Sequence, residues 1–246
     1  MNLVTKIFFG VKNPGFLQGL QQAVDNLAPQ GIYAGDNLFT FGRNLGFFEN
    51  KKFVEAWGAH ASTQIEQAIV WRIYVLAWAA KSVIARNVPG DFVECACYKG
   101  TSARIICDYV DFADSGRHYY LYDLFEHDDS MIHHSMPEHG EALFDQVKAR
   151  FLGFPNVTVT KGFLPDVLDQ VSPDTIAFMH VDLNNAPAEI GVLDRLFDRL
   201  SPGGILVLDD YGWLAYRAQK LAEDPWLAAR GYEVLELPTG QGLVFK

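Results

Sequence analysis

The rhythm of apolar and polar positions changes along the chain. From Gly90 onward, short apolar runs alternate with stretches of helical spacing. The runs Gly90–Ala96, His118–Asp123, Asn156–Gly162 and Thr175–Asp182, and "ILVLDD" ending at Asp210, read as strands. Between them, "SARIICDYV" reads as a helix with Ser102 near its start, and "FDQVKARFLG" as a helix ended by Gly153. The segment from Glu189 puts Ile190, Leu193, Leu196, Phe197 and Leu200 on one helical face. "SPGG" breaks the chain before the fifth strand, and a helix follows from about Leu214 to Arg230. "YEVLEL" and "GLVF" pair as a hairpin across "PTGQ". Near-continuous apolar strands alternating with helices predict a parallel sheet covered on both faces. The expected fold class is therefore α/β: a doubly wound, mostly parallel seven-stranded sheet with an antiparallel C-terminal hairpin.

Upstream the pattern differs. A long helix is expected over about Ala59 to Arg86. Residues 1–60 scatter glycines among aromatics and read as short helices and loops, an N-terminal cap preceding a domain over 61–246. The loop "DNLFTFGRNLGFF" is rich in aromatics and is a candidate wall for a substrate cleft, or a piece of core. The apolar stretch Ile65–Ala85 contains Glu66, Arg72 and Lys81, so a buried helix is expected there and not a membrane span.

Charge narrows the partners. With 20 basic and 30 acidic residues the chain carries a formal charge of -10 and no basic cluster, which argues against nucleic acid. The three cysteines, Cys95, Cys97 and Cys107, are crowded together, so reduced thiols in a cytoplasmic protein are expected. Cys95-Ala96-Cys97 could be half a zinc site, but a second cysteine pair is missing from the sequence. No secretory cleavage motif follows the N-terminus. The long apolar helix and the aromatic N-terminal segment are compatible with a homo-oligomer.

In open α/β sheets ligands bind beyond the carboxyl ends of the strands, where strand order reverses. Those ends deliver Glu94 with "CACYKG", then Asp123, then Lys161 and Gly162, then Asp182, then Asp209 and Asp210. Convergent titratable groups of this kind mark a site. A carboxylate ending the second strand can accept both ribose hydroxyls of an adenosine cofactor. The turn after the first strand is not G-x-G-x-x-G, so a pyrophosphate cradle is not evident. That moves the reading from a nicotinamide cofactor toward S-adenosylmethionine.

At these residues the chain resembles a family. "GDFVECACYKGTSARI", "HVDLNNA" and "LSPGGILVLDDYGW" resemble the class I S-adenosylmethionine-dependent methyltransferases, and more narrowly the macrocin O-methyltransferase family of antibiotic-sugar methyltransferases. The resemblance covers about Asp36 to Lys246. It implies a Rossmann-like methyltransferase domain and a cofactor motif at Glu94, Cys95, Ala96, Gly100, Thr101 and Ser102. Asp123 is implied as the ribose acid, with Gly162 and Asp182 completing the cofactor set. It further implies a divalent metal, usually magnesium, on Asp182, Asp209 and Asp210. Two departures stand out: Ala96 where the family usually has glycine, and Asn184 or Asn185 where a second acid is expected after Asp182.

The expected chemistry is direct methyl transfer to a hydroxyl of a small molecule, a sugar or glycoside, with Asp182 and His180 as catalytic residues. The metal would orient two neighbouring hydroxyls and lower the pKa of one. Base candidates stay open: His180, which shares a strand face with Asp182; the loop histidines His127, His133, His134 and His139; and Lys161. The alternatives are a non-catalytic or metal-independent S-adenosylmethionine-binding protein, which Ala96 favours, and an NAD(P)-dependent oxidoreductase, which the turn "ECACYKG" disfavours.

Overall fold

The structure is a computed structural model. It describes residues 2–27, 30–127, 131 and 135–246. The chain forms two compact units, Met1–Tyr74 and Val75–Lys246.

The first unit holds β1 (Leu3–Val4), α1 (Pro14–Asp25), β2 (Tyr33–Gly35), β3 (Leu38–Thr40), α2 (Lys51–His60), α3 (Gln64–Ala68) and the start of α4 (Val70–Ala85). Its strands form a small sheet in the order β1-β2-β3, which the irregular glycine pattern did not announce. Asp36 and Asn37 join β2 to β3 with φ of 52° and 54°, the two left-handed residues of a tight hairpin turn. Arg72 clamps the buried Asp36 carboxylate from both sides, Nε to Oδ2 at 2.7 Å and Nη2 to Oδ1 at 2.8 Å. The single helix expected from Ala59 to Arg86 is instead interrupted. Thr63 caps α3: its Oγ1 accepts from Glu66 N–H at 3.2 Å, while Glu66 Oε2 accepts from Thr63 N–H at 2.9 Å. This reciprocal box restarts the helix, so α2 ends at His60. Of the aromatic loop, Phe47 and Phe48 are buried, with Phe47 packing on Phe53, Trp71 and Tyr74, whereas Phe41 is exposed.

The second unit continues with β4 (Asp91–Cys95), α5 (Thr101–Val110), β5 (Tyr119–Asp123), α6 (Leu143–Arg150), β6 (Val157–Lys161), β7 (Ile176–Val181), α7 (Ala186–Leu196), β8 (Leu200–Leu208), α8 (Arg217–Ala228), β9 (Leu235–Glu236) and β10 (Gly242–Phe245). The seven strands lie in the order β6-β5-β4-β7-β8-β10-β9. The pairs β6–β5, β5–β4, β4–β7 and β7–β8 are parallel, and β10 is antiparallel to both β8 and β9. The doubly wound, mostly parallel sheet with its closing hairpin is thus as expected. Every residue of β7 is buried, and β4, β5 and β8 contribute Val93, Tyr122 and Leu206 to the same core as Leu193 and Leu196 of α7.

"SPGG" does not break the chain. It lies inside β8, whose register against β7 jumps from Ile176↔Leu200 to Phe178↔Ile205. The extra residues bulge out of the ladder, and Gly203 at φ 83° supplies the left-handed turn this needs. The last helix starts later than expected: Leu214–Tyr216 is one 3-10 turn, and α8 follows it. Among the described residues, no helix is long and apolar enough to cross a membrane.

Candidate active site

Successive strands leave β4 in opposite directions, toward β5 and β6 on one side and toward β7 and β8 on the other. The reversal opens a crevice at the carboxyl ends of β4 and β7. Beyond β4 the turn is tight: Ala96, Tyr98 and Gly100 have φ of 67°, 47° and 67°. Ala96 and Cys97 both donate their N–H to Tyr122 O, at 2.8 and 3.0 Å. The turn therefore curls back over the end of β5 and delivers Tyr98 N–H to Asp123 Oδ2 at 2.7 Å. Phe125 N–H donates to Asp123 Oδ1 at 2.6 Å. These two backbone donors fix the orientation of a carboxylate that presents about four acceptor positions in all.

A cavity of about 420 Å³ lies there. Ala96, Tyr98 and Asp123 line one side, Gly162, Phe163 and Leu164 a second, and Asp182 through Asn185 a third. Met131, Met136 and His139 line it from the loop after β5. His139 meets the Tyr98 ring edge-on at 5.4 Å and stacks on His127 at 6.1 Å. Tyr98 donates its hydroxyl to Glu138, which also pairs with Lys99 at 3.3 Å. His133 and His134 lie outside the described residues. Lys161 pairs with Glu126 and is an ion-pair partner in this structure.

Deeper in the sheet, ligand atoms of His180, Asp182 and Asp209 all lie within 4.8 Å of one another. His180 is buried between two acids, Nδ1 at 3.6 Å from Glu94 Oε1 and Nε2 at 3.6 Å from Asp209 Oδ1. These are ion-pair contacts, slightly longer than hydrogen bonds. Burial alone pushes the imidazole down, but the Asp209 and Glu94 carboxylates outweigh it and raise its pKa to about 10. His180 is therefore an imidazolium at neutral pH. Asp209 Oδ1 also accepts from the fully buried Gln241 Nε2 at 2.8 Å, and Glu94 Oε2 accepts from Tyr119 OH at 2.8 Å.

The model of the macrocin-O-methyltransferase (TylF) family matches residues 48–224, well over half of the chain. The chain belongs to the macrocin-O-methyltransferase family. It is 28% identical over 156 residues to the 8-demethyl-8-(2,3-dimethoxy-alpha-L-rhamnosyl)-tetracenomycin-C 4'-O-methyltransferase of Streptomyces olivaceus. That match takes in 57% of this chain and 60% of the relative, so the chain spans about three fifths of the curated protein it matches. Among solved structures, the O-methyltransferase NovP superposes with a TM-score of 0.62 at 21% identity, covering 80% of this chain and 88% of NovP. The apo TDP-rhamnose 3'-O-methyltransferase of calicheamicin biosynthesis superposes at 0.57 and 14% identity, covering 96% of each chain. At these identities the two structures speak for the fold.

Within this macrocin-O-methyltransferase family member the predicted site residues separate into groups. Ala96, Asp123, Gly162 and Asp182 line the cavity. Glu94, Cys95, Gly100, Thr101 and Ser102 are not among its lining residues. Glu94 turns inward to Tyr119 and His180, Cys95 is fully buried, and Gly100 heads α5, where an added Cβ would come within 2.8 Å of the Phe151 ring. Burial raises the pKa of all three thiols, which keeps them neutral. Of the expected acid trio, Asp182 and Asp209 come together, while Asp210 stands outside the group and His180 takes the third place. Two contributors escaped sequence reasoning. Gln241 sits in the hairpin connection and reaches Asp209 across the sheet. Glu189, read only as a helix start, is buried and accepts Leu183 N–H at 3.1 Å. Its signal was the acid placed just inside a helix N-terminus.

Proposed function

We propose that this protein is an S-adenosylmethionine-dependent O-methyltransferase that methylates a sugar hydroxyl of a glycosylated natural product. The observation that carries this reading is Asp123, fixed by Tyr98 N–H and Phe125 N–H at the rim of the cavity in a member of this family. A carboxylate so oriented suits a ribose diol. The left-handed turn at Ala96 brings the backbone close to the cavity and suits the methionine end of the cofactor. Family membership and the rhamnose-directed relatives support the sugar acceptor.

The carboxylates of Asp182 and Asp209, whose ligand atoms lie within 4.8 Å of each other, fit a divalent cation, while the protonated His180 beside them is not a ligand. Asp182 and Asp209 would hold magnesium, and the ion, when bound, would act as a Lewis acid that lowers the pKa of an acceptor hydroxyl. Asp182 lines the cavity and is the residue placed to orient that hydroxyl. His180, as an imidazolium, offsets the charge of Glu94 and Asp209 and has no free lone pair for a proton. Gln241 keeps the Asp209 carboxylate turned toward the group.

A second reading has its own support. The His180 imidazolium already supplies positive charge between Glu94 and Asp209, which favours a metal-independent transferase. Calorimetry with S-adenosylmethionine, with and without magnesium, tests both, alongside methyl transfer to a glycoside and to its aglycone. Cofactor binding that is lost in Asp123→Ala is expected, with transfer to the glycoside only. No cofactor binding by the wild type overturns the function, and full activity in a chelator overturns the metal.

A further inference from the structure

Two acids that the proposed reaction does not use are buried together between α7 and α8. Glu189 and Glu223 are each 1% exposed, and Gln219 beside them is 3% exposed. Glu189 Oε1 is well supplied: it accepts from Leu183 N–H and from Gln219 Nε2. Oε2 of Glu189 and Oε2 of Glu223 are both buried with no hydrogen-bond partner. Ionised carboxylates only accept, so two ionised glutamates leave both oxygens unsatisfied and two like charges in contact. One proton removes both problems, because a protonated Glu223 donates to Glu189.

Glu189 is joined to the cavity wall through one backbone contact. Leu183, whose N–H it accepts, lies between Asp182 and Asn184, and all three line the cavity. Asn184 is left-handed at φ 53°, a region that asparagine enters more readily than most side chains, and Asn185 caps α7 by accepting Ala188 N–H at 3.1 Å. The buried carboxylate of Glu189 anchors this turn at Leu183 N–H.

We propose that Glu189 and Glu223 share a single proton, and that this dyad, through Glu189, positions the Asp182–Asn185 turn of the cavity. The consequence for the turn rests on the function proposed above, because it places a ligand there; the dyad itself does not. Burial, followed by the neighbouring Glu189 charge, holds Glu223 protonated up to about pH 9, and burial raises Glu189 as well. The other groups facing the pair are Asp224 and Lys220 on α8 and the neutral thiol of Cys95 on β4. Loss of the shared proton sets two charges against each other and loosens Glu189 from Leu183. Glu189 and Glu223 are positioning residues: neither lines the cavity.

Three readouts on the full chain test this. Infrared spectra of the wild type carry a protonated-carboxyl carbonyl band at neutral pH that disappears on raising the pH to about 10, and Glu223→Gln lacks it. The Leu183 and Asn184 amide resonances move with that band in the wild type and stay fixed in Glu223→Gln, whose amide still donates to Glu189. Affinity for S-adenosylhomocysteine falls about tenfold between about pH 7 and 10 in the wild type relative to Glu223→Gln. Glu189→Ala weakens it at both. A wild type without the band, or with amide shifts that titrate alike in both proteins, overturns the dyad. Equal pH dependence of affinity in wild type and Glu223→Gln overturns its positioning role. Absence of S-adenosylhomocysteine binding by every variant overturns the proposed function, and the two spectra then decide the dyad alone.

Discussion

Asp209→Asn separates the two aspartates that end β8. Asparagine keeps the shape and the acceptor oxygen that Gln241 Nε2 bonds at 2.8 Å, so the hairpin contact survives and only the charge is removed. The Asp209 side chain is 11% exposed, and its ligand atom lies within 4.8 Å of that of Asp182. Two unit charges at that separation repel by roughly 3.5 kcal/mol at an effective dielectric of about 20. A divalent ion between them is attracted to each acid, and that attraction exceeds the repulsion between the two because the ion carries twice the charge and lies nearer. Removing one acid removes one such attraction and weakens cation binding by roughly 300-fold or more in Kd at 1.36 kcal/mol per factor of ten. Asp210 is not part of the group, so Asp210→Asn should change Kd only a few-fold. Titration with Mn²⁺ as a paramagnetic probe, followed by displacement with magnesium, reads both variants. Equal losses in the two, or an unchanged Kd in Asp209→Asn, would refute the assignment of the site to Asp182 and Asp209.

Other consequences concern stability. In the first unit, Asp36→Asn keeps the left-handed turn but removes the negative charge facing the Arg72 guanidinium, whose side chain is 10% exposed. It should destabilise by about 3 kcal/mol, and adding Arg72→Met should recover more than half, read by urea unfolding in a double-mutant cycle. For Glu223 the sign follows from a folded pKa of about 9, above the unfolded carboxyl value. The favourable contribution of its proton is complete below about pH 4.5 and is lost as pH rises toward 9, at up to about 1.4 kcal/mol per pH unit. Wild-type stability should therefore fall relative to Glu223→Gln across that window, and parallel curves from pH-dependent chemical denaturation would contradict it.

The sheet was legible because its strands announce themselves locally. Apolar runs ending in acids at Glu94, Asp123, Asp182 and Asp209 mark both the strand and the end of the sheet at which the cavity opens. The pairing of His180 with Asp182 was legible too, since residues two apart share a strand face. What the pattern did not carry has two sources: local signals that the apolar rhythm overrides, and partners far away in sequence. Thr63-x-x-Glu66 is a local capping signature within the polar stretch 62–64, and it separates α2 from the helices that follow. The strands β1, β2 and β3 are two or three residues long, too short for an alternation to register. "SPGG" reads as a break, yet a glycine bulge lets β8 run through it. Asp209 and Asp210 are indistinguishable as neighbours; the choice falls to Gln241, 32 residues on, and to His180 on the adjacent strand.

The buried acids of the second unit show why the cavity has the charge it has. An ionised carboxylate inside a sheet is tolerated only when something offsets it. Glu94 and Asp209 have the His180 imidazolium between them, and Glu189 has a protonated neighbour. Asp123 has the backbone N–H groups of Tyr98 and Phe125, which a turn built from left-handed residues aims at it. Each device settles its acid within the protein. Asp182 differs in place: it lies beside Asp209, shares the group with His180 and also lines the cavity. It is the point where the charge balance of the interior meets the cavity, so a cation brought in by a ligand is felt there first. A sulfonium cofactor or a divalent ion bound at this end of the cavity would add to the offsetting that the fold already carries out for these acids.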